Sequence, residues 1–458
     1  MTKSRHPHPG CATWSQVYGD AAAWSPASAW YVNFNNGNVN NNHRNNNGFA
    51  LAVRRAGEFQ GNGVQLQDLY QAWRRARRQK VPSHNQLRFD SEWMCKLLQL
   101  QRQITAGEWS PRPSTCFIAT RPKAREIHAP DFADRVVHHW LVPQLEAIYE
   151  PSFIHDSYAN RTGRGGHAAV RRAQDFTRQV DSGQGGGWYL QLDIANFFNS
   201  IHRPTLWAML RKRLERAGAD RQVMQTTHAL LRRSPLHAGV QYRATDAERA
   251  QVPMHKRLEN APVGHGLPIG NLSSQFFANV YLDALDQFVK RTLKAKRYLR
   301  YVDDFVLFHQ DRAQLQTWQT QIEDFLHQTL RLRLKSDIRM RRLTDGLDFL
   351  GYVIHPTHTL ARQRVVGHVR AAIAEWEGKH VQGSTIKATP QELRDIRARL
   401  ASYDGHLRHA NSYRLRQRLV QRFAWLPAAT RPRRFSARQE GRRLSINFAS
   451  PHKEQSHA

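Results

Sequence analysis

Two spacings of apolar residues alternate along this chain, and together they predict a mixed α+β protein. Leu66, Leu69, Tyr70 and Trp73 recur at helical intervals, followed by Arg74, Arg75, Arg77 and Arg78. That spelling predicts an amphipathic helix with a basic C-terminal end. Helices are also expected over residues 133–149, 167–176 and 273–289. Strands are expected where β-branched and aromatic residues crowd together: Trp188-Tyr189-Leu190-Gln191-Leu192, and both arms of Leu299-Arg300-Tyr301-Val302-Asp303-Asp304-Phe305-Val306-Leu307-Phe308. The second run reads as a hairpin with two acids at its tight turn. His237–His265 has no clear periodicity and reads as a loop. Near the C-terminus, Thr389-Pro390-Gln391-Glu392 spells an N-cap, a first-turn proline and a capping-box acid. Leu393, Ile396, Leu400, Tyr403 and Leu407 then mark one apolar face.

The carboxylates inside the two strand-like runs change the picture. Asp303 and Asp304 are adjacent, and Asp193 ends the other run. Asp-Asp alone is also the spelling of a solvated surface turn. Desolvated like charges repel, however, and a divalent metal relieves them. One aspartate on one strand and two on a separate hairpin is the ligand count for two Mg²⁺ ions roughly 3.5–4 Å apart, with substrate phosphates completing the shells.

With these motifs the chain resembles a reverse transcriptase over about residues 65–425, with its blocks in that family's order. Asp193 matches the first palm aspartate and Tyr301-Val302-Asp303-Asp304 the YxDD box. The resemblance implies an α+β right-hand polymerase: fingers over 63–180, a palm with an antiparallel sheet over 181–355, and a helical thumb over 356–429. It implies Asp193, Asp303 and Asp304 as the catalytic acids, with Ile194 added to the metal-holding residues, and two Mg²⁺ ions, for which Mn²⁺ can substitute. Lys123 and Arg125 match the basic fingers segment that holds a triphosphate; a solvated charge cluster has the same spelling. Phe198 falls where the family places the aromatic that excludes a ribose 2′-hydroxyl. Arg164, in the turn Gly163-Arg164-Gly165-Gly166, is a candidate for a nucleic-acid phosphate. Phe349-Leu350-Gly351-Tyr352 resembles the primer-grip hairpin, with Gly351 and Tyr352 as candidates, and Lys335 is a candidate phosphate contact or general acid.

One block narrows the resemblance. Where most reverse transcriptases carry a Gln-Gly pair, this chain has Ile269-Gly270-Asn271-Leu272-Ser273-Ser274-Gln275. That form looks like the reverse transcriptase of diversity-generating retroelements. Ile269, Gly270 and Gln275 thus become nucleotide-site candidates, with an apolar side chain in place of an amide near the nascent pair. Ile269 also reads simply as a core residue of the following helix. The N-terminus points the same way. Ten asparagines fall within Asn33–Asn47, and Trp30-Tyr31-Val32-Asn33-Phe34-Asn35-Asn36-Gly37 resembles the end of the lectin-like proteins such elements diversify. Asparagine is encoded by AAC or AAT, so randomising the adenines yields NNY codons, which contain no stop. Residues 1–62 therefore read as a translated template repeat, poorly ordered as protein; a polar low-complexity tract is the plainer reading.

Composition supports nucleic-acid work. With 68 Lys+Arg against 37 Asp+Glu, the formal net charge is +31, an excess that condenses on phosphate. Charge alone does not separate an enzyme from a coating protein; the acids do. Cys11, Cys95 and Cys116 lack metal-ligand spacing. No apolar run approaches a membrane span, so no membrane partner is expected and the location reads as cytoplasmic. Residues 430–458, rich in Arg, Ser and His, read as a disordered basic tail.

The expected activity is RNA-directed DNA synthesis, with dNTPs, template RNA and the primer or cDNA strand as substrates. The retroelement resemblance adds an error-prone, adenine-mutagenic product that diversifies a target gene, and a small basic accessory protein forming an oligomeric helical bundle. A retron-type or defence-associated reverse transcriptase is the nearer alternative, and a catalytically silent RNA-binding protein on the same scaffold the farther one.

Overall fold

The computed structural model describes residues 64–78, 81–120, 123–181, 186–430 and 443–448, together with the backbone of three further strands. Two of those, Ser28–Asn33 and Asn38–His43, pair antiparallel. The rest of residues 1–62, on which the template-repeat reading falls, lies outside the described residues. Two compact units are formed.

The first unit gathers residues 64–148, 207–253 and 268–273. Its Leu66–Arg77 helix buries Leu69, Tyr70, Ala72, Trp73 and Ala76, and its last turn carries Arg74, Arg75 and Arg77. Trp73 stacks on Trp93 at 5.1 Å and its indole N–H donates to Asp90. The expected 133–149 helix is found as Phe132–Tyr149. Strands Ser114–Ala119 and Arg125–Ala129 pair antiparallel. Part of the expected loop at 237–265 is ordered: Val240–Tyr242 adds a parallel strand beside Ser114–Ala119. Asp246–Ala250 is a helical turn closed by a Thr245–Glu248 capping box. Segments this short carry too few apolar residues to show a period.

The second unit holds residues 149–206, 254–267 and those from 274 onward. Its centre is a four-stranded antiparallel sheet ordered Tyr298–Tyr301, Asp304–His309, Trp188–Asp193, Arg339–Arg342. Phe305, Val306, Leu307 and Phe308 are all fully buried, so this strand is covered on both faces and shows no alternation. The Gly166–Asp181 helix supplies Ala169, Val170, Ala173, Phe176 and Val180 to one core with Tyr189, Leu299 and Val306. The Arg312–Leu330 helix also packs on both central strands.

Farther along, Pro390–Leu407 starts at the expected Thr389–Glu392 capping box. Leu393, Ile396 and Leu407 are buried in a core with Trp376 and Trp425, and Leu400 and Tyr403 pack against it. The expectation of a disordered tail over 430–458 is corrected in part. Arg443–Asn447 pairs with Thr385–Ala388 and with Ala437–Glu440, and Ile446 is fully buried. Leu444, Ile446 and Phe448 alternate with polar residues, a period-two signal hidden by the basic composition around it. Residues 451–458 lie outside the described residues.

Candidate active site

Strand register builds the site. Asp193 ends its strand directly opposite Asp304, the first residue of the neighbouring strand. Opposed residues on an antiparallel pair project to the same face with Cβ atoms about 5 Å apart, so the two carboxylates are held together by the ladder itself. Asp303 sits in the two-residue turn Val302-Asp303 that joins the hairpin. Val302 adopts φ +56°, a conformation that costs a β-branched residue about 1–3 kcal/mol.

The electrostatics are those of a crowded anionic cleft. Burial pushes the Asp304 carboxyl up to about 7. A hydrogen bond from Gln191 pulls it back, Asp193 and Asp303 push it further up, and Lys335 lowers it. Gln191 Nε2 donates to Asp304 Oδ1 at 3.1 Å and to the Asp348 carbonyl at 3.2 Å. Lys335 Nζ is ion-paired with Asp193 Oδ2, while Asp193 Oδ1 is buried with no hydrogen-bond partner. Among the described residues, no three His, Cys, Asp or Glu side chains are already gathered as a metal cluster. The donor set nevertheless fits a divalent cation. A buried orphan carboxylate oxygen beside a carboxyl raised by its acidic neighbours is a site short of positive charge.

The Ile194 side chain is a buried hydrocarbon with no donor atom for a metal. Its backbone has one: the antiparallel bridge to Leu334 uses the Asp193 carbonyl and the Ala195 N–H and leaves the Ile194 carbonyl pointing the other way. Lys335 is placed on Asp193, its own N–H donating to the Asp193 carbonyl at 2.8 Å. Phe198 is half-buried on the short Phe197–Ser200 helix, edge-on to Phe197. Arg164 lies 3.0 Å from His155 Nε2.

Phe349-Leu350-Gly351-Tyr352 forms the expected tight hairpin, with Leu350 and Gly351 both at positive φ, as a two-residue primed turn requires. Tyr352, a primer-grip candidate, is turned into the protein. Its ring is buried, stacks on His406 at 4.3 Å, and its hydroxyl donates to the His406 carbonyl at 2.9 Å. Tyr352 therefore packs the hairpin onto the Pro390–Leu407 helix, and Gly351 stands where His406 approaches to 3.0 Å of a would-be Cβ.

The remaining candidates divide between the units. Lys123 and Arg125 are exposed, before and at the start of Arg125–Ala129 in the first unit. Ile269 and Gly270 belong to that unit too. The Ile269 carbonyl accepts from the His128 N–H at 2.8 Å, and Ile269 lies ahead of the helix, which runs Leu272–Gln287. Gly270 has φ +118°, and a Cβ there would meet the His128 carbonyl at 3.0 Å; only glycine fits. His138 is buried against Ser273 Oγ at 2.9 Å. Gln275 is exposed in the second unit.

Reading the sequence passed over Gln191 and Arg300. Gln191 lies two residues before Asp193 and so shares its face, a signal that was available. Arg300 is a charge inside an apolar strand, which demands a buried partner that the sequence does not identify.

Residues 118–354 match the family model described as reverse transcriptase (RNA-dependent DNA polymerase). Protein YkfC of Escherichia coli (strain K12) is 23% identical over 320 residues, covering 62% of this chain and 76% of that protein. The group II intron-encoded protein LtrA of Lactococcus lactis subsp. cremoris is 27% identical over 204 residues, 44% of this chain but only 29% of LtrA. Apo telomerase from Candida tropicalis, truncated from its C-terminal domain, aligns with a TM-score of 0.41 and 11% identity over 55% of this chain and 56% of that one.

Proposed function

The chain belongs to the reverse transcriptase family and is an RNA-directed DNA polymerase; from that premise we propose that it copies a retroelement RNA into error-prone cDNA that diversifies a target gene. Its substrates are an RNA template and nucleic acid to extend, and its family uses divalent metal ions. Asp193, Asp303, Asp304 and the Ile194 carbonyl would hold two Mg²⁺. When bound, these ions would lower the pKa of the primer 3′-hydroxyl and stabilise the pyrophosphate leaving group.

The chain's own residues do the rest. The ladder fixes Asp193 against Asp304, so no reorganisation is needed when the reactants arrive. Gln191 orients the Asp304 carboxylate by donating to both of its oxygens. Lys335 neutralises Asp193 until a cation or phosphate competes for one of the two. Phe198 would close the sugar site against a 2′-hydroxyl, while Lys123 and Arg125 would bind the triphosphate.

The observation that carries the polymerase site is the Asp193–Asp304 register with its buried, unpartnered Asp193 Oδ1. The mutagenic reading is supported by Ile269 in the Ile-Gly-Asn-Leu-Ser-Ser-Gln block and by the ten asparagines within 33–47. It brings with it a small basic accessory protein. The test is twofold: sequencing cDNA made on a template of balanced composition, and aligning the DNA encoding residues 12–56 with neighbouring genes. Errors concentrated opposite adenine and a neighbouring gene sharing the repeat are the expected results. Faithful cDNA beside an effector gene would instead favour the retron-type or defence reading, to which the match with an intron-encoded protein also lends weight.

A further inference from the structure

A buried ion pair lies behind the acidic hairpin. Arg300 is 1% exposed and Asp286, on the Leu272–Gln287 helix, is 0% exposed. The guanidinium grips this carboxylate with two bonds, Nε to Oδ1 at 2.8 Å and Nη2 to Oδ2 at 2.6 Å. The Tyr298 hydroxyl donates to Asp286 Oδ1 at 2.7 Å. Arg300 Nη2 reaches Ser157 Oγ at 3.1 Å, and Nη1 reaches Asn279 Oδ1 at 3.3 Å. One donor remains for the turn: Nη1 donates to the Val302 carbonyl at 2.9 Å.

That last bond is not needed to satisfy the ion pair. It falls on the one residue of the hairpin turn held at positive φ. Tension of this kind persists only where surrounding structure over-determines the backbone. The backbone of Arg300 is itself clamped, donating to the Asp156 carbonyl at 2.9 Å while its own carbonyl accepts from Tyr158 N–H at 3.0 Å. The guanidinium thus joins the Tyr298–Tyr301 strand and the Leu272–Gln287 helix to a strained carbonyl one residue before Asp303.

We infer that Arg300, oriented by Asp286, is a positioning residue that holds the Val302-Asp303 turn in the geometry at which Asp303 meets the reactants. This rests on the reading of Asp303 as a metal-holding acid. A lysine cannot replace it, because a single ammonium cannot serve both Asp286 oxygens and the Val302 carbonyl in the planar fork geometry. A misplacement of about 1 Å in such a site costs on the order of 10²-fold in rate.

The experiment compares four full-length proteins with wild type: Arg300→Lys, the paired Arg300→Met/Asp286→Leu, that pair with Val302→Gly added, and Asp303→Asn. The paired variant removes both charges together, which a packed interior tolerates. Single-nucleotide incorporation gives kcat and the dNTP KM, and hydrogen exchange reports the amides of residues 302–304 against the rest of the sheet. Arg300→Lys and the paired variant are expected to lose about 10²-fold in kcat with KM little changed, and to exchange faster at the turn alone. Glycine adopts positive φ without strain, so Val302→Gly should return part of the lost kcat. A kcat within about threefold of wild type in either variant, or exchange rising across the whole sheet with no rescue by glycine, would overturn the positioning role. Retained activity in Asp303→Asn would instead sink the metal-holding reading of Asp303, whatever Arg300 does.

Discussion

Asp304 stands directly opposite Asp193 at the end of the central ladder, so two acids distant in sequence are neighbours by register rather than by loop geometry. One residue of slip would send either carboxylate to the other face. The two-residue Val302-Asp303 turn sets the register of the Asp304–His309 strand against Tyr298–Tyr301.

Removing a carboxylate from this acidic cluster should therefore leave the fold and abolish synthesis. Asp193→Asn and Asp303→Asn each delete a carboxylate charge without changing shape, and on the proposed metal-holding role several kcal/mol of transition-state stabilisation, about 10³-fold or more in kcat, should be lost. RNA binding should stay within a few-fold, since neither substitution removes a basic side chain. Primer extension at saturating Mg²⁺ is the measurement. Substantial extension by either variant would remove these residues from the reaction.

The Asp304 carboxyl also predicts a pH dependence in metal-free protein. Its value is pushed up to about 7 in the folded chain, against an ordinary value of 3.8. Between those values the folded state keeps a proton that the unfolded state has released. The stability contribution is thus complete below about pH 4 and is lost as pH rises through about 7. Denaturant unfolding in chelator should show stability falling by a few kcal/mol across that window, and Asp304→Asn should flatten this part of the slope. Parallel curves for the two proteins would mean that the Asp304 environment is wrongly assigned.

Much of this was legible in the sequence because the acids interrupt apolar strands, where a charge is conspicuous. The Thr389 capping box and the Leu393, Ile396, Leu407 face were legible too, since both depend only on local spacing. What escaped was non-local. The burial of Tyr352 against His406 joins residues 54 apart, and nothing near Tyr352 foretells it. The Arg443–Asn447 strand was hidden because composition outweighed a period of only three apolar positions. Gly270 was read as part of a nucleotide site, but its immediate need is steric, the His128 carbonyl lying against it.

Sugar discrimination gives a third prediction. Phe198 is half-buried and edge-on to Phe197, so part of its ring stays exposed. Phe198→Ala should admit ribonucleotides with little change in dNTP turnover, because the missing ring no longer meets a 2′-hydroxyl. Single-nucleotide incorporation with paired dNTP and NTP series reads this directly. An unchanged preference would place the sugar gate at another residue.

The last prediction concerns Ile269. Its carbonyl is tied to the His128 N–H, and any side chain at Gly270 beside it would be strained against the His128 carbonyl, so the Ile269 side chain is the part of this block that can be varied without moving backbone. An apolar side chain offers no hydrogen bond to a base pair, which leaves geometry less closely policed. Ile269→Gln should restore an amide and reduce misincorporation, most of all opposite template adenine. Ile269 is only half-buried, so the new amide can reach water and should cost less than the roughly 1–3 kcal/mol of a fully buried unsatisfied group. Deep sequencing of cDNA from both enzymes on one template decides the matter. Equal error rates opposite adenine would make Ile269 a spacer that carries the strand-like bond to His128 and nothing more.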